Sequence, residues 1–86
     1  MRIDYHRHFE KQYRKLPPKT QEKIDRKLVL FADDPFNYEL NNHALTGKYS
    51  GCRSINITGD IRAIYEINGD NVIFSFIGTH HELYGK

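Results

Sequence analysis

Five residues from His43 onward have side chains that could handle a phosphodiester: His43, Asp60, Arg62, His80 and Tyr84. Cleaving RNA with side chains alone requires three things. A base must deprotonate a 2′-hydroxyl, a fixed cation must stabilise the phosphorane, and an acid must protonate the departing 5′-oxygen. Histidine is the side chain whose unperturbed pKa suits both proton transfers. His43 lies in a polar loop and His80 just past an apolar strand, so the strand order can bring both to one end of a sheet. Asp60 occupies a turn between strands, and Arg62 projects from the free face of the next strand, suited to gripping phosphate. Each residue also has a plainer reading. His80 can be a hydrogen-bonded histidine finishing a strand, and His43 an exposed loop residue. Asp60 can be there because Gly-Asp favours turns, and Arg62 can pair with Glu66 along its own strand. Tyr84 can plug the core or stack on a nucleobase. His6 and His8 are expected to face solvent. His81 should point away from His80 if the backbone there is extended, which leaves no histidine pair for a metal.

The elements that must position these groups follow from periodicity. Arg2 to Tyr5 alternates and predicts a first strand. Phe9, Tyr13 and Leu16 form one stripe of a helix over His6–Leu16, which Pro17-Pro18 ends. A second helix runs from Pro18 to about Ala32, with Ile24, Leu28, Phe31 and Ala32 buried, and stops at Asp33-Asp34-Pro35. The two should form an antiparallel helical hairpin. Residues 36–51 are polar and predict a loop long enough to be functional. Three strands follow: Cys52–Thr58, Ile61–Ile67 and Val72–Ile77, joined at Gly59-Asp60 and at Asn68-Gly69-Asp70-Asn71. Ile61, Ala63, Tyr65 and Ile67 should face inward, and Arg62, Ile64 and Glu66 outward. Val72–Ile77 is apolar on both faces apart from Ser75, as expected of a covered interior strand. The expected fold is α+β in the order β-α-α-β-β-β. The helical hairpin packs on one face of a small, mainly antiparallel four-stranded sheet, and the other face is left open for a site.

Eighty-six residues with 38% apolar and 13% aromatic content argue for one small globular domain over residues 1–86 rather than disorder. Cys52 is the only cysteine, so no internal disulfide or cysteine-rich zinc site is available. Without an apolar run of membrane-span or signal length, a cytoplasmic protein is expected. The formal charge of +2 is unevenly spread. Residues 1–32 carry nine basic residues against four acids, and residues 33–86 four against seven. The basic half favours a polyanion or an acidic partner protein, or simply a solvated lysine face.

Taken together, the element order and two motifs resemble the RelE/ParE superfamily of bacterial type II toxins: Phe9-Glu10-Lys11 leading to Lys15-Leu16-Pro17, and Leu45-Thr46-Gly47 leading to Gly51-Cys52-Arg53. The pattern His43-x-Leu45-x-Gly47 leading to Gly51-x-Arg53, then Asp60 leading to Tyr65, resembles one branch of it. The closing Gly78-Thr79-His80-x-x-Leu83-Tyr84 looks most like the YafQ branch, and the resemblance spans nearly the whole chain. It implies an mRNA interferase, a ribosome-dependent endoribonuclease that needs no metal or cofactor and is neutralised by a cognate antitoxin. The toxin–antitoxin complex, not the toxin alone, would bind operator DNA. Carried over by position, His43, Asp60 and His80 would be catalytic and Tyr84 would stack on a base. Arg62 would hold phosphate, while Asn56 stands where that branch has another histidine and can hold an oxygen but carry no proton. Lys48 and Arg53, with Lys11, Arg14, Lys15, Lys19, Lys23, Arg26 and Lys27 of the helical hairpin, would contact RNA; Arg53 also matches the superfamily's strand arginine, for which a structural role is the alternative. Two other functions suit the same fold: a ParE-like toxin that binds gyrase, and a catalytically inactive interaction module.

Overall fold

The computed structural model describes residues 1–85. It is an α+β arrangement of three helices and one sheet. Strand β1 (Ile3–Tyr5) leads into helices α1 (Arg7–Arg14) and α2 (Pro18–Asp33); strands β2 (His43–Ala44), β3 (Cys52–Asn56), β4 (Ile61–Asn68) and β5 (Asn71–Thr79) follow, and helix α3 (His80–Tyr84) closes the chain. The sheet order is β1-β5-β4-β3-β2. Only the β1–β5 pair is parallel.

The helical hairpin forms where the apolar stripes and prolines predict it. His6 caps α1, its Nδ1 accepting from the His8 amide at 3.0 Å. Pro18 opens α2 at a position where its missing N–H costs nothing. Tyr13 ties the helices together: its backbone carbonyl accepts from Gln21 Nε2 at 2.9 Å, and its hydroxyl donates to Asp25 at 2.7 Å. Phe9, Ile24 and Phe31 then meet Ile55, Ala63, Tyr65, Phe74 and Ile77 of the sheet in one buried core. α1 also covers the edge of β5 beyond the end of β1, where Gln12 Oε1 accepts from the Ile77 amide at 3.0 Å. Without that contact a part-buried N–H would have no partner.

The structure corrects several sequence expectations. A fifth strand, β2, lies within the expected loop of residues 36–51, together with 3₁₀ turns at Tyr38–Leu40 and Gly47–Tyr49. Strand β3 ends at Asn56 rather than Thr58, and α1 ends at Arg14 rather than Leu16. Ala32 is exposed, whereas Leu40 from the first 3₁₀ turn is fully buried and joins the core. Ile67 is 60% exposed, beyond the reach of the helices, and the outward-facing Ile64 is fully buried. The largest departure is at the C-terminus, where His80–Tyr84 is helical rather than extended.

Irregularity in β5 explains its unbroken apolar run. Ile64 pairs with Phe76 but Tyr65 pairs with Phe74, so Ser75 is an unmatched bulge residue. The bulge shifts the alternation by one, so Phe74 and Ile77 both reach the helical core. Ile73 and Phe76 turn to the other side, where Phe76 meets Tyr49 at 5.5 Å between ring centroids. That second face is therefore not free. Tyr49, Leu83 and the segment between β2 and β3 cover its middle and leave a cleft at one end.

Candidate active site

Strand register builds the cleft. His43, Ser54, Ile64 and Phe76 line up across the sheet on the face opposite the helical hairpin. Asn56, Arg62 and Gly78 form the next row on that face. At this end of the sheet the loop after β2 and helix α3 rise on either side. They enclose a cleft of about 690 Å³ lined by His43, Lys48, Asn56, Arg62, His80 and Tyr84, among others. That volume lies in the range of roughly 300–1,000 Å³ usual for ligand sites. A cavity of about 380 Å³ between β1, α1 and α2 holds the Tyr13–Asp25 contact but no histidine, and it has no comparable chemistry.

Helix α3 is short but well fixed. Thr79 Oγ1 accepts from the Glu82 amide at 3.0 Å, and Glu82 Oε1 accepts from the Thr79 amide at 2.8 Å, a reciprocal capping box. Gly78 leaves room for this box: a Cβ there would come within 3.1 Å of Glu82 Oε1, so the carboxylate would have to give by a few tenths of an ångström. The His80 amide donates to the Asp60 carbonyl at 3.0 Å, which ties α3 to the β3–β4 turn. Tyr84, one helical turn on, packs its ring 4.6 Å from that of His80 and is half-buried. The sequence Gly78-Thr79-His80-His81-Glu82-Leu83-Tyr84 is thus a helix start, and the cap presents His80 and Tyr84 on one side.

The cap carries a pH dependence. Hydrogen bonds from the Thr79 backbone, then from its side chain, hold the Glu82 carboxyl below its usual value, and the charge of His81 adds to this. A carboxyl lowered in the folded state contributes stability that is fully present above its ordinary value and lost as pH falls through the folded one. Amide exchange in α3 is therefore expected to accelerate on acidification through that window. Because glutamine can also close the box, Glu82→Gln should flatten the acid response. An equally steep response in Glu82→Gln would show that another group titrates there.

Arg62 is half-buried and held by its own turn. One guanidinium nitrogen donates to the Thr58 and Ile61 carbonyls at 2.9 and 3.2 Å, leaving the remaining donors for the cleft. Among the described residues it makes no salt bridge to Glu66. Asn56 sits beside it in register, with its Oδ1 buried and without a hydrogen-bond partner. His43 Nδ1 lies 2.8 Å from the Asn41 carbonyl oxygen. A carbonyl only accepts, so in the neutral ring Nδ1 carries the proton and Nε2 keeps its lone pair.

Other sequence-predicted residues are placed differently. Asp60 lies in the β3–β4 turn, outside the cleft lining, and touches the site through its backbone. Arg53 lies on the opposite face of the sheet, in register with Tyr65, and binds Asn42 at 2.8 Å. Lys19, Lys23 and Arg26 are exposed on α2, and Lys27 pairs with Glu39 at 3.7 Å. Lys23, Arg26 and Lys27 border a separate cleft against Ile57, Thr58 and Gly59. Lys11, Arg14 and Lys15 are exposed on or just after α1. Sequence reasoning missed Tyr49. Its hydroxyl donates to the Leu83 carbonyl at 2.8 Å, and its ring meets those of Phe76 and Tyr84. Burial, with Tyr84 and Cys52 nearby, raises its pKa. An aromatic in an otherwise polar loop was the available signal. Among the described residues no cluster of three metal-ligating side chains occurs, and no helix is long and apolar enough to cross a membrane.

No curated protein sequence matches the chain. Among solved structures, YafQ from E. coli superposes with a TM-score of 0.78 at 24% identity, covering 99% of this chain and 100% of that one. A YoeB/ParE toxin from Agrobacterium tumefaciens gives 0.77 at 20% identity, covering 93% and 99%. The E. coli DinJ–YafQ toxin–antitoxin complex gives 0.68 at 24%, covering 96% of each chain. At these identities the likeness establishes the fold. A family model described as the bacterial toxin of a type II toxin–antitoxin system, YafQ, matches residues 1–85, and the chain belongs to that family.

Proposed function

We propose that the protein is an endoribonuclease that cuts mRNA at the ribosome, using side chains alone for proton transfer. The observation that carries this reading is one cleft lined by His43, Arg62 and His80, with His43 held in the tautomer that leaves Nε2 as acceptor. His43 Nε2 takes the 2′-hydroxyl proton. O2′ then attacks phosphorus, and the P–O5′ bond breaks. His80 protonates O5′, and the products are a 2′,3′-cyclic phosphate and a 5′-hydroxyl. Arg62, already fixed by its turn, meets the charge that builds on the phosphoryl oxygens. Tyr84 offers a half-buried ring on which a base can stack. Asp60 acts by holding the His80 backbone.

The cations of α1 and α2 lie away from the cleft and suit ribosomal RNA, a contact that should weaken steeply with salt. A cognate antitoxin follows from family membership and from the DinJ–YafQ complex formed by a relative. Operator DNA is then a ligand of the toxin–antitoxin complex.

The test is to map mRNA 5′ ends after brief induction of wild type and His80→Ala. New 5′-hydroxyl ends inside reading frames are expected only with wild type. Identical ends in both would remove His80 from the mechanism. Intact mRNA with blocked supercoiling would favour a gyrase-binding toxin, and intact mRNA with no such block would favour an inactive module.

A further inference from the structure

The residue before His43 is the most heavily bonded side chain near the site, yet it does not line the cleft. Asn42 Nδ2 donates to the Pro35 carbonyl at 2.9 Å and to the Tyr65 hydroxyl oxygen at 2.7 Å. Its Oδ1 accepts from Arg53 Nε at 2.8 Å, and its backbone carbonyl lies 3.5 Å from Arg53 Nη2. The Arg53 guanidinium rests over the Phe36 ring, 5.2 Å from its centroid. All of these contacts sit on or beside the helix-facing side of the sheet. His43 lies on the other side, in register with Ser54.

The preceding residue is equally unusual. Asn41 is left-handed, with φ 45° and ψ 49°, and is the one non-glycine with positive φ among the described residues. This bend, followed at once by the anchored Asn42, turns the Asn41 carbonyl back to within 2.8 Å of His43 Nδ1. Strand β2 has little else to hold it. It is two residues long, exposed and at the sheet edge, with the Leu45 amide bonded to the Cys52 carbonyl just beyond it.

We propose that Asn42 and Arg53 form a positioning clamp that sets the tautomer of His43 from the opposite face of the sheet by fixing the Asn41 carbonyl. Arg53 is then a positioning residue and not an RNA ligand. Its planar fork, which a lysine ammonium cannot reproduce, holds the amide whose neighbour directs the imidazole. An exposed histidine without such a bond exchanges between its two neutral tautomers. The clamp suppresses one of them.

The catalytic consequence rests on the cleavage reading above, but the structural claim does not, so the test has two readouts. The first is the ring-nitrogen NMR signature of His43 in the free protein. Wild type is expected to show the Nδ1-protonated neutral form, and Asn42→Ala and Arg53→Lys a mixture of both tautomers. The second is RNA cleavage. Both variants should lower kcat about ten- to a hundredfold, the scale of a misplaced catalytic group. KM should change less than about twofold, because neither substitution removes a positive charge. Unchanged His43 nitrogen signals in Asn42→Ala or Arg53→Lys overturn the clamp. So does a rise in KM at constant kcat for Arg53→Lys, which would make Arg53 an RNA contact. If wild type cuts no RNA, the cleavage reading fails and the tautomer shift still decides the clamp. Should Asn42→Ala fail to fold, Arg53→Lys alone gives both readouts.

Discussion

His43→Ala should slow RNA cleavage by about two to four orders of magnitude and leave the stability of the protein within about 0.5 kcal/mol of wild type. His43 is exposed, lies on a two-residue edge strand and contributes nothing to the buried core. The lost group is the one whose lone pair is directed by its neighbour's carbonyl. Single-turnover cleavage in a reconstituted translation reaction, with a urea unfolding curve on the same preparation, measures both quantities. Combined with His80→Ala the losses should fall well short of multiplying, because base and acid serve one displacement. A His43→Ala enzyme with wild-type rate would remove His43 as the base.

Phe74→Ala should cost about 3–5 kcal/mol of folding stability. Phe74 is fully buried on an interior strand, with ring centroids of Phe31 and Tyr65 each at 5.2 Å, Phe9 at 5.8 Å and Tyr5 at 6.0 Å. Truncation removes the ring that joins both helices to the sheet. Small domains have only about 0.05–0.15 kcal/mol of stability per residue, roughly 4–13 kcal/mol for 86 residues, so a loss of this size is a large fraction of the total. Chemical denaturation followed by circular dichroism gives the number. Ile67→Ala, in the same sheet but 60% exposed, should stay near wild type. A loss below about 1.5 kcal/mol for Phe74→Ala would mean that the core can collapse around the gap.

Much of this architecture was readable from local chemistry. Proline placement and the spacing of Phe9, Ile24 and Phe31 marked the helical hairpin. Gly59-Asp60 and Asn68-Gly69-Asp70-Asn71 marked the two hairpin turns. The α+β class and the RelE-like order followed, and the structure bears them out. The errors have physical causes. Strand β2 has two exposed residues and no apolar pattern, so only its pairing with β3 defines it. Helix α3 is shorter than local propensity can support, and it exists because Thr79 and Glu82 cap it and Leu83 is buried beneath it. Ile64 was placed on the correct side, but it is fully buried because that face is covered, its cross-strand neighbour Phe76 lying under the ring of Tyr49 from a distant segment.

The same division runs through the site. Residue types alone identified which side chains can move protons or meet a phosphate, because that chemistry belongs to the imidazole and the guanidinium wherever they sit. By itself the sequence therefore determined the helical hairpin, the three long strands and the candidate set His43, Asp60, Arg62, His80 and Tyr84, to which the family resemblance added Asn56. Only the tertiary structure decided which of the set share a cleft. Register put His43, Asn56 and Arg62 on one face, and a capped helix turned His80 and Tyr84 toward them. It left the Asp60 side chain outside the lining and put Arg53 on the far face. Strand alternation reverses a side chain's face with each single residue, and that phase is set by contacts between segments far apart in the chain.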